Sequence, residues 1–534
     1  MIGSARTRTD LAGPDGFGRT LDLVTAGWVF AGRAALGLVA VALVGYLAVR
    51  PFVAIAGSDA NPNTNWSELS AWPTLIGNTL IVGFGASVVS LVPALPLGYL
   101  LFRTDMPLRR AVTAVLLLAA CVPLFVSASA VLSVIGFRVW QGHALIAGAV
   151  HGWAALPLSV LIVGQGYRLV DARETDAALL DAPPHRVWMH VDWPLVRWSV
   201  LAVFLVVLWL SSTDITITDL VSVRTFAEEV YITFQLGGGA AWQSLVAVPY
   251  FGAFGLLLWA AMRAAGTTGL DASKLECVTP RTTWLGSIGK VGCLLAALAL
   301  IGAAVVPPVL RLARAVGGLS DFARFSHGLA PEFVTSFLLA AGCAVLVVLL
   351  VMAVGPSIVR WPSRSADRAL RWSALALLAL PTPLLATALI EGFNRPGVLG
   401  AIYDSAAFPL IGQVVRWLPL GLLVAGPGFL RVTRDLTDAA RLDGCSEPQL
   451  RRFLYWPVSS KFLALCAVVT IVLTLGEVTA SVMLSPPGFL PLSVRFFTLA
   501  HYGLHGEAAA ICLLMMIVLV IPWSVLILLL HRSD

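Results

Sequence analysis

Apolar runs of roughly twenty residues recur along the chain, and short segments rich in Arg, Pro and Gly separate them. A helix that crosses the hydrocarbon core of a bilayer needs about 20 mostly apolar residues. Runs at 34–55, 75–101, 112–136, 144–165, 196–221, 241–262, 284–308, 333–355, 370–390, 408–430, 461–484 and 508–530 therefore predict about twelve transmembrane helices in an all-α integral membrane protein. The first run starts near Ala34, after a polar stretch carrying Arg6, Arg8 and Arg19, so it reads as a retained anchor rather than a cleaved signal peptide.

Composition agrees with that pattern. With 58% hydrophobic and 12% charged residues in 534, the chain holds more apolar side chain than a water-soluble protein of this length could bury. The net charge of +6 is scattered over many short loops, which argues against a nucleic-acid partner and for membrane topology. If the N-terminus is cytoplasmic and the chain alternates sides, 26 of the 35 Lys and Arg fall on the cytoplasmic face. Arg311, Arg314, Arg324 and Arg416 are among those left on the other face. The expected location is the bacterial inner membrane, multi-pass, with both termini cytoplasmic. Seven cysteines without CxxC spacing, most of them inside apolar runs, make a disulfide framework or a zinc site improbable.

One loop carries a specific pattern. After the tenth run the chain reads Asp438-Ala439-Ala440-Arg441-Leu442-Asp443-Gly444, with Pro457 thirteen residues later. Leu436, Ala439 and Ala440 predict a small apolar face on a short helix, and Gly444 supplies the freedom at positive φ that ends it. The loop after the fourth run repeats the theme as Asp176-Ala177-Ala178, with Ala182 at the glycine position and Pro194 before the fifth run. Pro194 and Pro457 are 263 residues apart, and Asp214 and Glu477 each follow their proline by 20. Two landmarks with one offset predict an internal duplication. Weaker echoes pair Asn78 with Ser336, Pro123 with Pro381, and Val223-Arg224-Thr225-Phe226 with Val494-Arg495-Phe496-Phe497.

The two loops resemble the cytoplasmic EAA coupling loop of permeases in binding-protein-dependent ATP-binding-cassette importers. The segments 475–488 and 219–229 are similar to fused two-half permeases of ferric-iron import systems, an architecture shared with thiamine and phosphonate permeases. The resemblance implies a type I importer permease fold of two homologous six-helix halves. Residues 1–33 then form a cytoplasmic segment, 34–265 the first half with coupling loop 168–194, 266–283 a cytoplasmic linker, and 284–534 the second half with coupling loop 431–457.

By the same resemblance Asp176, Ala177, Ala178, Ala182 and Pro194, with Asp438, Ala439, Ala440, Gly444 and Pro457, dock onto two copies of an ATPase subunit. A periplasmic or lipid-anchored binding protein delivers the substrate. The chain itself is expected to be no enzyme, to hold no metal or cofactor, and to leave ATP to its partner. It has no G-x-x-x-x-G-K-[ST] loop; the nearest string, Gly286 to Lys290, lacks the spacing and the hydroxyl.

Asp214 and Glu477 are candidate pathway residues, because a charge inside a span is costly and must face water or a partner helix. His143, His151, His501 and His505 are placed near the outer face. The expected cargo is ferric iron, with thiamine, phosphonate or polyamine as alternatives. An ion-coupled secondary transporter is the competing class and predicts discontinuous helices with clustered ionisable groups. A membrane enzyme would need grouped catalytic residues, and no HExxH, GxSxG or Asp-rich cluster is present.

Overall fold

The computed structural model describes residues 72–120, 122–135, 142–236, 283, 286–360, 377, 380–502 and 505–531. The runs expected at 34–55 and 241–262, the N-terminal segment 1–33 and all of the linker but Thr283 lie outside the described residues.

The described chain is helical. An N-terminal set comprises α1 (Trp72–Arg103), α2 (Arg109–Ala120), α3 (Leu124–Ile135), α4 (Ala144–Arg168), α5 (Ala172–Asp181), α6 (Trp193–Thr213), α7 (Thr216–Val221) and α8 (Phe226–Gln235). A C-terminal set comprises α9 (Ser287–Val316), α10 (Leu319–Gly328), α11 (Ala330–Arg360), α12 (Thr382–Phe393), α13 (Val398–Tyr403) and α14 (Ala407–Leu430). It continues through α15 (Arg434–Leu442), α16 (Trp456–Gly476), α17 (Thr479–Leu484), α18 (Leu492–His501) and α19 (His505–His531).

Eight helices among the described residues are long and apolar enough to cross a membrane. They fall on eight of the twelve expected runs. Two further runs are described in part or as a bent pair. The run at 112–136 is a pair, α2 and α3, bent by 95° at a break beside Pro123, as expected where proline removes a backbone donor. Of the run at 370–390, residues 370–376, 378 and 379 lie outside the described residues, and the rest holds α12, which starts at Thr382 after Pro381. The runs at 196–221 and 461–484 also end early: α6 stops at Thr213 and α16 at Gly476, each followed by an extended residue and a separate short helix.

In the N-terminal set α4 packs along α1, and α6 closes on both; in the C-terminal set α11, α14 and α16 pack mutually. Between helices in lipid there is no water to expel, so contact depends on small residues that admit close backbone approach. Gly148 and Gly152, one turn apart on α4, supply this. A Cβ at Gly152 would sit 2.5 Å from the carbonyl oxygen of Ala86 on α1, and one at Gly148 would sit 2.9 Å from that of Val82.

The two sets also share a core. Phe125 of α3 stacks on Phe496 of α18 with ring centroids 4.4 Å apart, and α9 packs against both α19 and α3. An apolar cleft of about 750 Å³ lies among α2, α3, α4, α9 and α19, lined by residues such as Val126, Pro157, Leu312 and Leu513. It lacks the charged groups of the site below.

Candidate functional site

The two loops singled out in the sequence adopt the same order of elements. In the N-terminal set α5 is followed by one helical turn at Pro184–Val187, a π turn at Trp188–Asp192, and α6, which opens Trp193-Pro194. In the C-terminal set α15 is followed by a turn at Glu447–Leu450, a π turn at Arg451–Tyr455, and α16, which opens Trp456-Pro457. Both prolines follow closely on the π turn inside one continuous helical run, 184–213 and 447–476, where a proline removes one backbone donor.

The N-caps are chemically similar. The Asp171 carboxylate accepts from the Arg173 N–H at 3.0 Å, and the Thr433 hydroxyl accepts from the Leu436 N–H, each satisfying an orphan donor.

The exits differ. Gly444 adopts φ +85° and donates to the Arg441 carbonyl, while the Cys445 N–H reaches back to Ala440, a glycine-terminated C-cap. Ala182 leaves α5 in an extended conformation, φ −144° and ψ 150°. Pro183 restricts the residue before it to that region. Alanine is therefore tolerated at 182 because the chain never visits positive φ there.

The apolar face expected on α15 is split. Leu436 and Ala439 are exposed, as are Asp438 and Leu442, whereas Ala440 is half-buried against the core and Thr437 is fully buried. On α5 the pattern repeats: Asp176 and Ala177 are exposed, Ala178 is half-buried, and Thr175 is buried. In each DAA string the first alanine thus faces outward and the second faces the protein's own body.

Buried arginines tie both segments to the bundle, a feature the sequence reading missed. Arg103, at the end of α1, is 1% exposed and donates to the Thr175 hydroxyl at 3.0 Å, the Asp192 carboxylate at 3.1 Å and the Val170 carbonyl at 3.3 Å. Arg451 donates to the carbonyls of Met352 and Ala353 on α11, at 2.7 and 2.8 Å. Lys290, part of the rejected phosphate-loop string, pairs with Asp105 at 2.7 Å.

At the far ends of α6 and α16 lie the two candidate pathway residues, each a helix C-cap that also caps the short helix after the break. Asp214 accepts from the Thr216 N–H at 2.9 Å and from its hydroxyl at 2.8 Å. Glu477 accepts from the Ala480 N–H at 3.1 Å. The two carboxylates are within electrostatic reach of each other, and Glu477 is within reach of Arg416.

Arg416 is the correction to the charge count. It lies inside α14, 3% exposed, rather than in a loop on the outer face. Its guanidinium donates to the Leu380 carbonyl and, across to the other set, to the Thr213 hydroxyl, both at 3.0 Å. It sits 5.1 Å from the Trp209 ring centroid and 5.2 Å from that of Trp417. A charge at mid-span costs about 2.5–3.5 kcal/mol on insertion scales, which these contacts offset. One turn away Gln413 reaches Ser481 of α17 at 3.3 Å. A lone arginine in an apolar run was the only available signal.

Beyond the breaks, His501 of α18 pairs with Asp219 of α7 at 3.0 Å, while its Nδ1 faces the Phe497 carbonyl at 2.8 Å. With an acceptor at each ring nitrogen the imidazole is held as a cation, and Asp219 lifts its pKa from 6.5 to about 9 despite the opposing burial. Glu228, buried beside Asp219, is pushed up to about 8, chiefly by desolvation. His151 is buried within α4.

Both raised values mean that the folded state binds more protons than the unfolded chain, so stability falls as pH rises. The His501 contribution is complete below about 6.5 and gone above about 9. Thermal unfolding of the purified chain is therefore expected at lower temperature at pH 9.5 than at pH 6.5. In His501→Gln the drop shrinks to the part due to Glu228; an unchanged drop would refute the assignment.

The hydrogen bonds also bear on two sequence echoes. The Ser336 hydroxyl accepts from the Leu492 N–H at 2.7 Å at the start of α18. Thr79 makes a bond of the same kind, accepting from the Phe226 N–H at 3.1 Å at the start of α8. Asn78, one residue earlier, instead donates to the Arg224 carbonyl. The strings at 223–226 and 494–497 sit differently on their helices, since the first ends at Phe226, where α8 begins, and the second lies inside α18.

Residues 348–533, from the middle of α11 to the end of the described chain and just beyond, match the family of binding-protein-dependent transport system inner membrane components. No curated protein matches the chain.

Proposed function

We propose that this chain is the membrane-spanning permease subunit of an ATP-driven solute importer, with two homologous halves in one polypeptide and a separate ATPase docked on α5 and α15. The observation that carries the reading is the repeated unit at a spacing of about 263 residues: exposed helix, helical turn, π turn, Trp-Pro-initiated span, acidic break. A short amphipathic helix projecting from a membrane bundle suits insertion into a groove on a soluble partner. The family match over 348–533 supports the same reading for the C-terminal half.

Ferric iron remains our proposed cargo, on the resemblance of segments 219–229 and 475–488, delivered by a binding protein outside the membrane. Thiamine, phosphonate and polyamine are the alternatives. The broken helices at Asp214 and Glu477, with Arg416 bonded to Thr213 and within reach of Glu477, favour the second reading, an ion-coupled secondary transporter, because such proteins place charge at discontinuous helices.

Native mass spectrometry of the full chain co-expressed with its candidate ATPase separates the two. The importer reading expects one chain with two ATPase copies and hydrolysis stimulated by the loaded binding protein. A chain that purifies alone and accumulates solute in response to an imposed ion gradient establishes the secondary transporter.

A further inference from the structure

We propose that Arg416 is a clamp between the two sets of helices. It holds the break after α6 and the break after α16 together in the arrangement described, and the sets part there only when its hydrogen bond to Thr213 is released.

Thr213 is 203 residues from Arg416 and is the last helical residue before the first break. Leu380, the second acceptor, immediately precedes the Pro381 that starts α12. Glu477, within electrostatic reach, is the first residue of the second break. The flat guanidinium also lies against Trp209 of the first set and Trp417 of the second.

An arginine serving only as a counter-ion within its own set would have no reason to spend one terminal nitrogen on the other. Because Asp214 and Glu477 cap α7 and α17, the orientation of each short helix follows its carboxylate, and Arg416 sits where displacement of either is felt by both. Gln413 reinforces the link to α17 through Ser481. A planar donor fork satisfied from two sides is rigid when all partners are present, and loses that geometry when one moves away. Calling this a gate on a solute path rests on the permease reading; the clamp itself does not.

Amide hydrogen exchange of the full chain in nanodiscs tests it, comparing wild type with Arg416→Gln and Thr213→Val. Loss of a charge-assisted hydrogen bond predicts roughly ten- to hundredfold faster exchange in the elements it held. In Arg416→Gln the acceleration appears in both 216–221 and 479–484. In Thr213→Val, which leaves the charge in place, it crosses to 479–484.

Acceleration confined to the mutated residue's own set in either variant overturns the proposal. If Arg416→Gln does not purify folded, Thr213→Val decides alone. ATPase retention, scored on the same preparations, reports separately on the permease reading: wild type without ATPase refutes that reading while the exchange data still decide the clamp.

Discussion

Ala439→Arg is expected to strip the ATPase subunit from the purified complex while the permease stays folded, with affinity reduced by at least about tenfold, as for a residue near the centre of an interface. Ala439 is exposed on α15 beside Leu436, so an arginine there meets only the incoming partner. One residue further the expectation reverses. Ala440 is half-buried and packs against the core of its own set, and Ala440→Arg should lower the unfolding temperature before docking is reached.

Gly444→Ala falls between: nothing lies near its Cβ position, but φ +85° costs a side chain about 1–2 kcal/mol. Co-purification and thermal unfolding of the three variants check this. An Ala439→Arg complex that keeps its ATPase at wild-type affinity would remove α15 as the docking element.

Asp192→Ala is expected to destabilise the N-terminal set by about 3–5 kcal/mol, since it leaves the buried Arg103 guanidinium without its counter-charge. Asp192 is 5% exposed and Arg103 1%, so water cannot take the carboxylate's place. Replacing both residues, as in Arg103→Met with Asp192→Leu, should recover most of the loss, because apolar residues of similar volume carry no desolvation cost. Denaturant unfolding of the full chain in detergent, read by tryptophan fluorescence, measures both. Equal losses in the single and double variants would mean that Thr175 and Val170, not the ion pair, hold α5 in place. The pair fixes the segment that connects α5 to α6, so the same variant should also weaken ATPase retention through the N-terminal loop.

The sequence by itself located eight spans, because helix formation in lipid is dictated locally: every backbone group must be satisfied within its own helix, and about twenty apolar residues suffice to predict one. It also located the short helix of the second loop, since Gly444, at φ +85°, ends it as the spacing predicts. Legible too was the common offset of Asp214 and Glu477, though not that both act as helix caps at a break.

What only the tertiary structure decided depends on partners far away in sequence. Arg416 reads as a stray charge until Thr213 and Leu380 are brought to its two nitrogens. That Thr79 and Ser336 each accept from the backbone N–H at a helix start is invisible in the strings, since the two donors lie about 150 residues away in sequence. Nor could the chain say which alanine of each pair faces outward. That is set by which side of α5 or α15 meets the bundle, and on α5 Arg103 holds it by reaching across to Thr175, an acceptor 72 residues away that the linear pattern does not place near it.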